Sequence, residues 1–117
     1  MKLPGGEHAV IARRKIVDYC LSLDHEVGSA KARVFQSTLG LAAADTDALI
    51  EALGQAAAVG QAEVSGADAY GVRYRIDFVL DFKGRRAIVR SGWIVRAEGE
   101  APELTTTWVL RADASGT

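Results

Sequence analysis

The stretch RYRIDFVLDFKGRRAIVRSGWIVR, residues 73–96, decides the fold because it describes two strands joined by a tight turn. Its first part alternates apolar with mostly polar residues, as a strand with one buried face does. The apolar members are Tyr74, Ile76, Phe78 and Leu80. Lys83-Gly84 marks a hairpin turn within residues 81–85, and a second strand follows over residues 86–96. Strands joined by a hairpin are antiparallel, so this stretch predicts an antiparallel sheet.

A third strand is expected after a polar loop at residues 97–102. Residues 104–110 alternate again, which predicts two distinct faces. One face would carry Leu104, Thr106, Trp108 and Leu110, and the other Thr105, Thr107 and Val109. Residues 112–117 form a tail that we expect to be frayed.

Upstream of the sheet, apolar residues recur at helical spacing in three segments. These segments are residues 13–23, residues 29–39, and a third that runs from Asp45 or Asp47 to about residue 59. In the second segment, Ser29 is the predicted cap and Gly40 the predicted terminating residue. Its expected apolar face is Ala30, Val34, Phe35 and Leu39. A short edge strand is expected at residues 8–11.

Helices followed by an antiparallel meander predict an α+β domain. We expect about three N-terminal helices packed on one face of a three- to five-stranded antiparallel sheet. The 117 residues form one predicted domain, which is long enough to bury a core. Within it, helices are expected at about 12–60, the sheet at about 61–111 and the tail at 112–117.

Composition excludes several classes of protein. Apolar residues make up 49% of the chain, which argues against disorder, and the single Cys20 excludes an intrachain disulfide. The net charge of −1 gives no global sign of a nucleic-acid partner. No apolar run approaches the roughly 18 residues of a membrane span, and no signal peptide is visible. We therefore expect a soluble cytoplasmic protein with no membrane partner, no cofactor and no metal.

Charge is unevenly distributed along the chain. Residues 45–68 carry five acids and no Lys or Arg, whereas residues 70–96 carry seven cations against two acids. This polarity favours either a basic groove beside an acidic helix or a surface of mixed charges.

Candidate functional residues concentrate in residues 24–40 and in the last two strands. They are His25, Lys31, Arg33, Arg90, Ser91 and Thr106. Arg90 and Ser91 interrupt an otherwise apolar run. If Ser91 and Thr106 both face the helices, neighbouring strands would bring their hydroxyls together.

This set suits metal-independent cleavage of RNA through its own 2′-hydroxyl. The reaction needs a base, cations that stabilise the phosphorane, and an acid. His25 is the natural acid or base because its unperturbed pKa is about 6.5. Lys31, Arg33 and Arg90 would hold the phosphate. Ser91 and Thr106 would donate hydrogen bonds, and Tyr74 and Trp93 would stack a base.

Each of these residues also has an ordinary structural explanation. Pairs of cations such as Lys31 and Arg33 usually lie on solvated helix faces. Threonine is a good strand former, and a buried serine can satisfy its own hydrogen bonds. Aromatic residues such as Tyr74 and Trp93 most often fill the core.

Five segments resemble a small bacterial domain family of unknown function. They are MKLPGG (1–6), DYCLSLDHEVGSAKARVFQSTLG (18–40), YGVRYRIDF (70–78), VRSGWIV (89–95) and PELTTTWVL (102–110). The layout of helices before an antiparallel sheet is similar to that of the barnase–EndoU–colicin–RelE-like nucleases, many of which are metal-independent RNase toxins. The resemblance carries over His25, Lys31, Arg33, Ser91, Trp93 and Thr106. The chain departs from the family pattern at Glu26, Gly92 and Thr107-Trp108.

Two functions from different classes follow. The resemblance implies a ribonuclease toxin that binds RNA and is held in check by a cognate antitoxin or immunity protein, with its polar residues meeting in one concave basic site. The alternative is a non-catalytic protein-interaction module of the same fold. That alternative predicts scattered polar residues and an exposed apolar patch or open strand edge.

Overall fold

Helical segments precede a four-stranded antiparallel sheet in the computed structural model, which describes residues 1–24 and 28–113. The helices are α1 (Arg13–Lys15), continued by a π-helical turn (Ile16–Cys20), α2 (Ser29–Leu39) and α3 (Thr46–Val59). The strands are β1 (Ala62–Asp68), β2 (Gly71–Phe82), β3 (Arg85–Val95) and β4 (Glu103–Ala112), paired in the order β1-β2-β3-β4. The predicted α+β class is confirmed.

The first helix is shorter than the predicted residues 13–23 because it ends in a π-helical turn. The backbone N–H of Leu21 donates to the carbonyl of Ile16 at 2.9 Å, which is a bond across five residues rather than four. Ile16, Cys20 and Leu21 are all buried, as their spacing predicted. Of the edge strand expected at residues 8–11, the structure has one parallel bridge, between Val10 and Glu103.

The second helix has the predicted bounds and the predicted end. Gly40 follows it with a φ of 73°, and its N–H donates to the carbonyl of Gln36 at 2.9 Å. This left-handed conformation is the one that glycine adopts without strain. Ser29 is the first helical residue rather than the cap, because the preceding Gly28 occupies the cap position.

The apolar face predicted for α2 was wrong in part. Phe35 and Leu39 are buried, but Ala30 and Val34 are exposed to solvent. Ala32 completes the buried stripe instead. Spacings of three and four residues from Ala32 through Phe35 to Leu39 put one narrow stripe against the core, and Val34 falls outside it.

The two faces of the sheet differ in character. Side chains on the face that we call inner are buried in one hydrophobic cluster together with residues of the helices. The inner-face cross-strand pairs of β2 and β3 are Tyr74–Trp93, Ile76–Ser91, Phe78–Val89 and Leu80–Ala87. The opposite, outer face carries the alternate positions, including Arg73, Arg75, Asp77 and Arg90. The alternation of residues 73–80 in the sequence therefore predicts correctly which side chains lie on each face.

Two β-bulges in β4 overturn the predicted faces of that strand. Gly92 pairs with Thr106 and Trp93 pairs with Leu104, so Thr105 is an extra residue in β4. Leu110 is the second extra residue, because it falls between the paired residues Val109 and Arg111. Each extra residue reverses the alternation. Leu104, Thr107 and Val109 are buried on the inner side, whereas Thr106 and Trp108 pair with outer-face positions of β3.

The last strand also continues beyond its expected end. β4 runs through Ala112, the first residue of the segment expected to fray, and the tail residues 114–117 lie outside the described residues. Within residues 1–24 and 28–113, no helix has the length and apolar character that a membrane crossing requires.

Candidate functional site

Three of the predicted site residues lie in the core. Ser91 and Trp93 are fully buried and Tyr74 is 9% exposed. The Ser91 hydroxyl donates to the carbonyl of Ile76 at 2.9 Å and accepts from the indole N–H of Trp93 at 2.9 Å. Ser91 therefore provides the hydrogen-bond acceptor for the buried indole N–H of Trp93. The expected meeting of Ser91 and Thr106 is wrong, because the bulge puts Thr107 opposite Ser91.

A depression of about 280 Å³ lies on the outer face around Gly92. Gly92 pairs with Arg75 on β2 and with Thr106 on β4, and Trp108 also lines the space. A Cβ atom at residue 92 would lie 3.0 Å from the Thr105 hydroxyl oxygen and 3.3 Å from the Thr106 methyl carbon. The glycine therefore permits the close approach of Thr105 and Thr106, which a side chain at residue 92 would push aside. We call the depression around Gly92 the outer depression.

The bulge at Thr105 is held from outside the sheet. The Lys15 ammonium donates to the carbonyl oxygens of Leu104 and Thr105, each at 3.2 Å. Bulges often redirect side chains next to functional sites. Here the bulge brings the side chains of Thr105 and Thr106 together above Gly92. Lys15 is thus a structural anchor for the two threonines.

Thr106 carries the most unusual polar atom of the site. Its hydroxyl oxygen is buried and has no hydrogen-bond partner within the described part of the chain. A buried hydroxyl without a partner costs about 1–3 kcal/mol. The methyl carbon of Thr106 faces the space above Gly92, so the hydroxyl reaches a ligand in the outer depression only after rotation about χ1. Thr107 is the contrast, because its hydroxyl donates to the carbonyl of Arg90 at 2.8 Å.

Three arginines line the outer depression, and each is held by a carboxylate. Arg73 pairs with Asp68 at 2.9 Å, Arg75 with Glu63 at 2.6 Å, and Arg90 with both oxygens of Asp77 at 2.8 and 2.9 Å. These bonds use one or two of the five donors on each guanidinium. They orient the arginines, and because the pairs are partly exposed to solvent they contribute little to stability.

Two of the carboxylates, Asp68 and Asp77, have pKa values below the usual range of an aspartate. The hydrogen bond from Arg90 lowers the pKa of Asp77, and the charges of Arg75 and Arg111 act in the same direction. The hydrogen bond from Arg73, with the backbone N–H of Tyr70, lowers the pKa of Asp68. The acidic and basic segments of the sequence therefore meet partly across β1 and β2, so the outer face has mixed charge rather than forming a purely basic groove.

Lys31 reaches this region from α2. Its ammonium lies 4.4 Å from the centroid of the Trp108 ring, within the range of a cation–π interaction. Arg33 is exposed and, two residues further along the helix, projects in another direction. His25 lies outside the described residues. Of the predicted residues, Arg90 and Thr106 line the outer depression, and Lys31 lies beside it. The buried Tyr74, Ser91 and Trp93 border it from below, and Arg33 lies elsewhere.

Sequence reasoning missed Arg73, Arg75, Thr105 and Trp108. The two arginines alternate with apolar residues on a strand, so their face could have been matched with that of Arg90 before the structure was known. The placement of Thr105 and Trp108 depends on the bulge, which leaves no periodic signal in the sequence.

Potential metal ligands do not cluster in the described parts of the chain: no three His, Cys, Asp or Glu side chains come close enough to hold an ion there. Cys20 is buried among apolar residues, and this burial raises the pKa of its thiol.

Replacing Ser91 with Ala tests its structural role. The change leaves the buried indole N–H of Trp93 without an acceptor, so we expect a loss of about 1–3 kcal/mol in the free energy of unfolding. Urea denaturation measures it, with Ser37→Ala on the exposed side of α2 as the control, expected to change stability by less than about 0.5 kcal/mol. Equal stability of the Ser91→Ala variant and the wild type would contradict this role.

Comparison with known proteins gives one match. A family model described as a domain of unknown function (DUF6883) matches residues 2–111. Neither the curated proteins nor the solved structures yielded a match.

Proposed function

Since the chain belongs to the DUF6883 family, a domain of unknown function, we propose a function from its own surface. The outer depression binds the phosphodiester backbone of single-stranded RNA, and the domain is a metal-independent ribonuclease. The observation that carries the proposal is the outer depression itself, in which Arg73, Arg75 and Arg90 surround Thr106 and Trp108. A phosphate oxygen accepts hydrogen bonds from the guanidinium groups, and it also accepts one from the Thr106 hydroxyl once that side chain rotates about χ1.

The charges around the depression favour an anion. Four cations lie in or beside it, namely Lys31, Arg73, Arg75 and Arg90, against the three carboxylates Glu63, Asp68 and Asp77. Exposed ion pairs are weak and exchange partners readily. A phosphate can therefore take some of the guanidinium donors, while the carboxylates keep the arginines oriented.

Trp108 supplies the second half of nucleotide recognition. Single-stranded RNA is bound by stacking its bases on aromatic side chains while cations hold its backbone. The Trp108 ring lines the same depression as Arg90 and Thr106, and Lys31 already covers part of it with a cation. A base stacked on this ring would place its phosphate toward the arginines.

Cleavage at this site would proceed without a metal. A base removes the proton of the 2′-hydroxyl, and that oxygen attacks the neighbouring phosphorus. An acid then protonates the departing 5′-oxygen, which leaves a cyclic phosphate. Arg75, Arg90 and Thr106 would stabilise the negative charge of the phosphorane. His25 remains the predicted base or acid.

A toxin role extends this proposal. The chain's layout resembles that of ribonuclease toxins, and a cytoplasmic RNA target would make the free domain harmful to its host. A cognate antitoxin or immunity protein would then inhibit it by covering the outer depression.

Thr106→Val separates binding from folding. Valine keeps the branched shape but removes the unpartnered hydroxyl, so stability should be unchanged or slightly higher. RNA affinity should fall about tenfold, the equivalent of one hydrogen bond to a charged group. Fluorescence anisotropy with a labelled single-stranded oligoribonucleotide in EDTA measures affinity, and a gel of total RNA incubated with the same proteins measures cleavage.

Thr107→Val is the matched control for that experiment. It removes the hydroxyl bonded to the Arg90 carbonyl on the inner face, so stability should fall while the folded protein binds RNA normally. If Thr106→Val leaves both RNA affinity and cleavage unchanged, the hydroxyl is not a ligand and the proposed site is wrong.

The open edge of β1 favours a second candidate, a non-catalytic module that binds a partner protein. β1 pairs with β2 along one side only, apart from a bond from the N–H of Ala62 to the carbonyl of Met1. Val64 on this strand is 57% exposed. An edge of this kind can accept an added strand from another chain.

Lysine on the edge strand tests the second candidate. Val64→Lys should abolish co-purification with a co-expressed neighbouring gene product if that partner adds a strand to β1. Val79→Lys is the control, because Val79 is similarly exposed but lies on β2, which is paired with a neighbouring strand on both sides. Capture of the partner by both variants alike would rule out the β1 edge as its docking site.

A further inference from the structure

A second depression, of about 560 Å³, lies beside β4 and is lined by Ala12, Arg14, Lys15, Asp18, Tyr19 and Thr105, so it has two cations and one carboxylate. We call it the edge depression. Thr105 also lines the outer depression. The two spaces therefore meet at the bulge residue, one on the outer face of the sheet and the other against the N-terminal helical segment.

The bulge explains why one residue borders both spaces. Thr105 is the extra residue of β4, so its backbone departs from the regular ladder toward Lys15, while its hydroxyl lies above Gly92. A ligand in the outer depression can therefore continue over Thr105 into the edge depression. Each space has about the size that accommodates one small ligand group.

The edge depression has the chemistry of a backbone-binding subsite. The side chain of Arg14 is 94% exposed and has a loose ion pair with Asp18 at 3.6 Å. Such a pair contributes little to stability, so the guanidinium is available to a phosphate at small cost. Lys15 adds a second positive charge, which its bonds to two neutral carbonyls do not cancel. Tyr19 provides an aromatic ring in the same space.

We propose that the outer and edge depressions are successive subsites for one polyanionic chain that crosses β4 at Thr105. The inference rests on the proposed function and narrows its substrate class to an oligoribonucleotide that contacts both spaces, rather than a mononucleotide. Arg14 is the residue that binds the phosphate in the edge depression.

The test measures the affinities of a short and a long ligand for the wild-type protein and for two variants. The ligands are adenosine monophosphate and a 2′-O-methyl octa-adenylate, which cannot be cleaved through a 2′-hydroxyl. Wild-type protein should bind the octanucleotide at least about tenfold more tightly, because it adds phosphate contacts. Arg14→Ala should lower octanucleotide affinity about three- to tenfold and reduce the salt dependence by about one phosphate contact. Its affinity for adenosine monophosphate should not change.

Arg13→Ala is the matched control. Arg13 is the neighbouring cation, and its guanidinium is paired with Asp47 on α3 rather than lining the edge depression. This variant should bind both ligands as the wild type does. Equal losses in the two variants would overturn the proposal, since they would show a general charge effect.

The remaining outcomes separate this inference from the proposed function. Equal wild-type affinity for the two ligands, with binding that Thr106→Val weakens, would overturn the second subsite and leave the outer depression as an RNA site. Absence of binding to either ligand by folded protein would overturn both proposals.

Discussion

The outer face of the sheet depends on two hydrogen bonds, which the Lys15 ammonium donates to the carbonyls of Leu104 and Thr105. They anchor the bulge that inserts Thr105 into β4. Without that extra residue, the alternation of β4 would place Thr107 and Val109 on the outer side and Thr106 and Trp108 in the core. A cation from the first helical segment thus helps to determine which side chains of the last strand face outward.

Gly92 is the complement of this bulge on the neighbouring strand. Its lack of a side chain accommodates the close approach of Thr105 and Thr106, and the same lack opens the outer depression. A Cβ at this position would lie 3.0 Å from the Thr105 hydroxyl oxygen, so any other residue would require Thr105 to shift.

Much of the fold could be predicted because its signals are local. The period-two pattern of residues 73–80 and the left-handed glycine after α2 are decided by neighbours in the sequence, and the structure confirms both. The candidate site was less predictable because its placement depends on register. Ser91 was expected at the site as a polar interruption of an apolar strand, yet it hydrogen-bonds the buried Trp93. Counting charges by segment left two alternatives open, and the structure has the surface of mixed charges, because β1 brings Glu63 and Asp68 beside Arg75 and Arg73.

Nuclear magnetic resonance of isotope-labelled protein, titrated with a 2′-O-methyl oligoribonucleotide, tests the proposed binding of RNA to the outer face around the bulge. We expect chemical-shift changes at the backbone amides of Gly92, Thr105 and Thr106 and at the indole N–H of Trp108. The indole N–H of Trp93, buried and bonded to Ser91, should change much less. Changes confined to β1 (Ala62–Asp68), or no changes in folded protein, would contradict the account.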